Sequence, residues 1–323
     1  MQEKPSPRII FDTGMNKAGD ALALAMLYGS KDARLIAVSV SGSNLKAASF
    51  CEVVGQFYAG PVSGAFGGAQ RTLPVGLSTD GKLAADSPLF TVPLARRDAE
   101  GKPVYRQTIE KLNDTADPVA VIRNAMTTQE DHNAIVIESG PATTLAHLLA
   151  LREAHETIVS KTRLLIMAVG AYPEGEELYA QADVAAAREV FAEWPTPIVA
   201  CGAEVGDALL FPATSIEEDF AWSQAHPVVD AYRAYQAMPY DAPTQAMAAA
   251  LYAARPKAGQ FELSERGTIA VAADGRTKFT LAADGKHRYL IPVASQRESI
   301  VQAYTQLAST KPVPPAPRRP PKN

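Results

Sequence analysis

Short apolar runs of strand length recur along this chain, each followed by a polar turn and a helix-forming stretch. Residues 8–11 are the first such run, and residues 12–19 form a polar connection with two glycines. From Asp20 onward the composition is that of a strong helix former. An acid there suits a helix start, as cap or first-turn charge. Further runs at 34–41, 133–138, 163–170 and 197–201 predict strands, and residues 45–58, 117–128, 183–194 and 226–238 predict helices. Pro118 suits the first turn of its helix. This order of strand, helix and strand predicts an α/β fold: a central, mainly parallel sheet flanked by helices. Such sheets bind ligands at the carboxyl ends of their strands.

Some regions depart from that rhythm. Residues 60–103 are rich in Gly, Pro, Ser and Asp and read as a long loop with short pieces of structure. From Gly267 two Ala-Asp-Gly turns separate β-rich runs, which predicts a C-terminal β-hairpin or meander capping the domain. Residues 295–307 predict a final helix, with Ser295 and Glu298 spaced as a capping box. The proline-rich residues 311–323 read as a disordered or polyproline-like tail and residues 1–7 as a flexible start, leaving one domain over 8–310.

Composition changes this picture little. The chain has 323 residues, of which 47% are hydrophobic, enough to bury a sizeable core. A net charge of −4 without a basic stripe gives no reason to expect nucleic acid. No apolar run approaches the ~20 residues of a membrane span, so no membrane partner is expected. Cys51 and Cys201 lie in apolar contexts and read as buried free thiols. The polar start lacks a leader's apolar core, which leaves the compartment open between the cytoplasm and export with a leader removed.

The candidate chemistry lies in the turns. Phe11-Asp12-Thr13 and Asp20-Ala21-Leu22-Ala23-Leu24 flank the first connection. They resemble the opening signature of the inosine-uridine-preferring nucleoside hydrolases, which reads roughly DTDMGNDVDDALAL in one branch. Residues 139–146 resemble that family's GPLTNLA turn, and residues 202–208 its GxEIGDA turn. The resemblance extends over most of residues 7–291. It implies the same α/β fold and a calcium-assisted attack of water on the N-glycosidic bond of a ribonucleoside.

Carried over residue by residue, the resemblance implies an altered site. Asp12 and Asp20 remain as residual catalytic candidates. Gly14 stands where the family has a metal-binding Asp, Gly19 where it has the catalytic Asp, and Lys17 where it has a further acid. Asp20 and the Ser139 carbonyl are the residual matched metal positions, and Ala246 replaces another ligand beside Gln245. One or two carboxylates are too few for a tight calcium site. No cofactor is therefore expected, and calcium is doubtful.

For substrate, the resemblance points to Asn44, Glu177 and Tyr179, the last replacing a ribose-holding Asn, with Asp241 the nearest carboxylate to Ala246. Asn44 also reads as a cap or turn residue, and Glu177 as a solvated loop acid. Lys17 reads either as an exposed lysine or as a cation near Asp12 and Asp20 that replaces the metal charge. The expected function is a nucleoside hydrolase-like pseudoenzyme that binds a sugar, a nucleoside or a protein partner. The alternative is an active hydrolase with a rebuilt site using Asp12, Asp20, Glu177 or Asp241. The resemblance also implies a homo-oligomer.

Overall fold

The computed structural model describes residues 6–59, 72–80 and 85–312. The first strand, β1 (Arg8–Thr13), sits centrally between β2 (Arg34–Val40) and β4 (Ala134–Ser139) and is parallel to both. Beyond β2 lies the short β3 (Val75–Leu77). On the other side follow β5 (Thr162–Met167) and β7 (Ile198–Ala200), again parallel. This is the mainly parallel α/β sheet expected from the alternating runs. The β-branched and apolar runs form its centre because a strand covered on both faces must be apolar throughout.

The C-terminal strands are more than a cap. A hairpin of β9 (Gly267–Val271) and β10 (Thr277–Leu281) is antiparallel, with the two-residue β6 (Glu174–Gly175) on its outer edge. The last strand, β11 (His287–Pro292), enters the main sheet parallel to β7 and also pairs with β8 (Phe261–Leu263). It covers what would otherwise be the open edge of β7. The sheet thus runs β3-β2-β1-β4-β5-β7-β11-β9-β10-β6.

Other differences are local. The region expected as a long loop contains β3 and the helix Pro88–Ala95; its residues 60–71 and 81–84 lie outside the described ones. The expected capping box is not formed: Ser295 falls in a single 3-10 turn, and the helix Arg297–Ala308 begins after Gln296. The expected flexible start and proline-rich tail lie almost wholly outside the described residues. Both cysteines are free and buried.

Two apolar layers hold the sheet. Ile9 and Phe11 of β1 pack on one side with the helices Ala18–Gly29 and Gln245–Ala254. Ile10 packs on the other side with Val136 and with Leu145 of the helix Thr143–Leu149. Alternation along the strand decides on which side each polar residue at the carboxyl edge emerges.

Candidate functional site

The first connection is shorter than the sequence suggests. β1 continues through Thr13, because Asp12 and Thr13 still pair in register with Ser39 and Val40 on one side and Glu138 and Ser139 on the other. The helix begins at Ala18, with Lys17 as its cap residue. Asp20 lies in its first turn and accepts from the Lys17 backbone N–H at 3.1 Å, half of a capping box.

Asp20 is fully buried and surrounded by donors. Oδ2 also accepts from Asn16 N at 3.1 Å and from the Tyr179 hydroxyl at 2.5 Å. Oδ1 accepts from Ser139 Oγ at 3.1 Å. Burial pushes the Asp20 carboxyl up, and the Lys17 charge and these donors pull it back. Burial and the neighbouring Asp20 hold the Tyr179 phenol well above its ordinary range, so it stays protonated and donates.

Tyr179 fits because residue 14 is glycine. A Cβ on Gly14 would lie 2.5 Å from Tyr179 Cε1, so the ring occupies the space a side chain would take. Gly19 is constrained from another direction, since a Cβ there would stand 2.5 Å from the Pro243 carbonyl oxygen.

Lys17 points into the cleft. Its Nζ lies 2.5 Å from Glu177 Oε1, 3.3 Å from Gln245 Oε1 and 4.3 Å from the centre of the Tyr179 ring. Glu177 is buried rather than solvated. It caps the short helix Leu178–Ala182, where Oε2 accepts from Tyr179 N at 2.9 Å and Ala180 N at 3.3 Å, and it also takes Gly170 N at 3.2 Å. Gln245 Nε2 donates to the Cys201 carbonyl at 3.1 Å. Lys17, Glu177, Tyr179, Asp20 and Gln245 thus form one connected polar cluster. Beside it opens a cavity of about 300 Å³, lined in part by Lys17, Leu178, Asp207, Tyr235, Pro243 and Ala246. That volume is at the low end for small-molecule pockets.

The structure sends three expected site residues elsewhere. Asp12 shares the sheet face of Ile10, opposite Asp20, because two more residues of strand fix its alternation. It is therefore no candidate base in this cleft. Asn44 is a helix cap: its Oδ1 accepts from Lys46 N at 2.9 Å and Ala47 N at 3.2 Å, and its Nδ2 donates to Asp86 at 3.1 Å. Asp241 accepts from Ala213 N at 2.8 Å at the start of another helix and does not line the cavity. Ser139 does reach the cluster, and its carbonyl accepts from Gly14 N at 2.8 Å.

Sequence reasoning missed Glu138, the bridging role of Gln245, and Leu178 and Tyr235 at the cavity. Glu138 did leave a signal: it is an acid closing an apolar strand, in register with Asp12.

The profile of the family described as inosine-uridine preferring nucleoside hydrolase matches residues 9–308. No curated protein matches by sequence. Among solved structures, an inosine-guanosine nucleoside hydrolase superposes with a TM-score of 0.70 at 14% identity, covering 95% of this chain and 99% of its own. A purine-preferring ribonucleoside hydrolase from Gardnerella vaginalis gives 0.67 at 16%, covering 94% and 99%. The inosine-uridine preferring nucleoside hydrolase from Bacillus anthracis gives 0.66 at 16%, also covering 94% and 99%. Fold and profile agree over nearly the whole chain, and the chain belongs to the inosine-uridine preferring nucleoside hydrolase family.

Proposed function

We propose that this family member binds a small molecule of nucleoside or sugar type in its cleft and does not cleave ribonucleosides by a calcium-assisted route. One observation carries this reading: the Tyr179 phenol occupies the space above Gly14 and donates to Asp20. Calcium takes about six to eight oxygen ligands, most of its affinity coming from carboxylates. In the cleft both Asp20 oxygens already accept hydrogen bonds, the Ser139 carbonyl accepts from Gly14, and Ala246 offers no side-chain oxygen. The donors present do not fit that ion, and no step is routed through it.

A base is also lacking. Asp20 and Glu177 are both held by several donors, and Glu177 is paired with Lys17. Losing a positioned general base costs about 10²–10⁴ in rate. What remains is recognition. The Lys17 ammonium has three donors, of which Glu177 and Gln245 take two, and it lines the cavity. A ligand with an acceptor group and a flat apolar face suits that wall.

The test is hydrolysis of a chromogenic aryl riboside by the purified protein, with calcium and with a chelator. Turnover absent from both supports the reading. Calcium-dependent turnover overturns it. Turnover insensitive to chelator replaces it with a metal-free hydrolase, for which Asp20 and Glu177 are the first residues to mutate.

A further inference from the structure

On the sheet face away from the cleft, five fully buried side chains bring oxygens together: Ser39, Ser41, Asp12, Glu138 and Thr144. Ser39, Asp12 and Glu138 are register neighbours on β2, β1 and β4. Adjacent strands place them about 4.8 Å apart along the sheet. Asp12 lies within reach of the Glu138, Ser39 and Thr144 side chains. A Cβ on Gly140 would meet both Ser41 Oγ and Glu138 Oε1, so these two converge as well.

These oxygens approach one another, and the backbone N–H groups of Thr13, Gly140 and Ala142, without the alignment of full hydrogen bonds. Seven of them, both from Asp12, both from Glu138 and one from each hydroxyl residue, have no hydrogen-bond partner. None of the ion pairs among the described residues involves Asp12 or Glu138. Buried carboxylates without a counter-charge are strongly unfavourable, so either protons held on the pair or a cation brought from outside must neutralise them.

We propose that this cluster is a structural site for one hard divalent cation of calcium size. Two carboxylates balance a double charge. Seven oxygens fall within calcium's usual range, and all are hard donors. Magnesium is disfavoured, because it keeps several waters and these groups are sealed from solvent. No group of three or more His, Cys, Asp or Glu side chains placed to hold a metal ion occurs among the described residues; this site rests instead on two acids and three hydroxyls. The ion would join β1, β2, β4 and the helix Thr143–Leu149 beneath the turns that floor the cleft.

The experiment is calcium titration of the chelator-stripped full chain by calorimetry, paired with melting curves in calcium and in chelator. About one equivalent of calcium is expected, with a melting temperature about 5 °C higher than in chelator. Glu138→Gln should lose the metal and the shift, whereas Asp20→Asn should keep both. The proposal is overturned if the wild-type chain holds no metal and melts alike in both buffers, which would mean that protons neutralise the pair. It is equally overturned if Asp20→Asn abolishes binding and Glu138→Gln does not. The wild-type measurements decide the question even if a variant fails to fold.

Discussion

The carboxyl edge of this sheet presents two polar clusters, one gathered at helix starts around the cleft, the other largely on strand residues of the opposite face. On the cleft face, Asp20 and Glu177 are buried, yet their oxygens are taken up by backbone N–H groups, a phenol, a hydroxyl and the Lys17 ammonium. On the opposite face, Asp12 and Glu138 are equally buried, with the Gly140 and Ala142 N–H groups near Glu138 but no well-aligned donor and no basic partner among the described residues. Burial alone therefore does not say how an acid is neutralised. The cleft carries its own cation within the chain, the Lys17 ammonium paired with Glu177. The other face has no internal cation among the described residues and has oxygens to spare.

The largest expected effect comes from removing the internal cation. Lys17→Met leaves the Glu177 carboxylate buried with backbone donors only. Breaking a buried pair from one side typically costs about 3–5 kcal/mol. Since Lys17 is partly exposed, the lower end is expected. Urea denaturation of Lys17→Met, Glu177→Gln and the double variant measures this. The double variant should recover much of the loss; strictly additive losses would show that the two charges do not depend on each other.

Each face also buries one histidine, which separates the faces by pH. His226 sits among Phe57, Phe220 and Trp222, and burial pushes it down to about 3. His287 packs on Phe191 of the opposite layer and is pushed down to about 4. Both folded values lie below the ordinary 6.5, so below pH 6.5 the unfolded chain binds protons that the folded chain refuses. Stability then falls as pH drops, by up to about 1.4 kcal/mol per pH unit for each histidine. Between pH 4 and 3 only His226 still adds to the slope. His226→Asn and His287→Asn should each flatten the acid limb of stability against pH, and a limb unchanged in both would refute this assignment.

A middle-sized effect tests how the cleft is filled. Gly14→Ala places a methyl against the Tyr179 ring and should cost about 1–3 kcal/mol. In a Tyr179→Ala background the same change should cost little, because the obstacle is gone. Equal costs in both backgrounds would mean that the ring does not hold that space.

Much of this fold was legible in the sequence because apolar runs and helix formers obey local rules. Five main strands and their parallel order follow from residues that are buried on both faces. β3 escaped notice because three residues in a Gly- and Pro-rich region carry no periodicity; the β11 run was legible, but not its pairing with β7, which lies far away in sequence. The site was legible only in part. Ending the first strand at Phe11 makes Asp12 a loop acid free to face the cleft; two further residues of strand put it on the other side. The changes at positions 14 and 179 were each visible, yet no local rule says that one side chain fills the space left by the other, 165 positions away. Charge pairing is equally non-local: Lys17 meets Glu177 only once the fold has joined two strand ends.

The smallest effect concerns Asn44, where a family role and a helix cap compete for one side chain. Its Oδ1 accepts from two N–H groups at the start of the helix Leu45–Ala59, the ordinary work of a capping Asn. Asn44→Ala should then cost about 1 kcal/mol in stability, while Asn44→Asp, which keeps the accepting oxygen, should cost less. If the side chain serves the helix alone, ligand affinity should be unchanged in Asn44→Asp, as read by calorimetry with a ribonucleoside or a free sugar. Affinity that falls in Asn44→Asp while stability holds would return this residue to the cleft. The polar surface serving recognition would then extend beyond Lys17 and Gln245 to the end of β2.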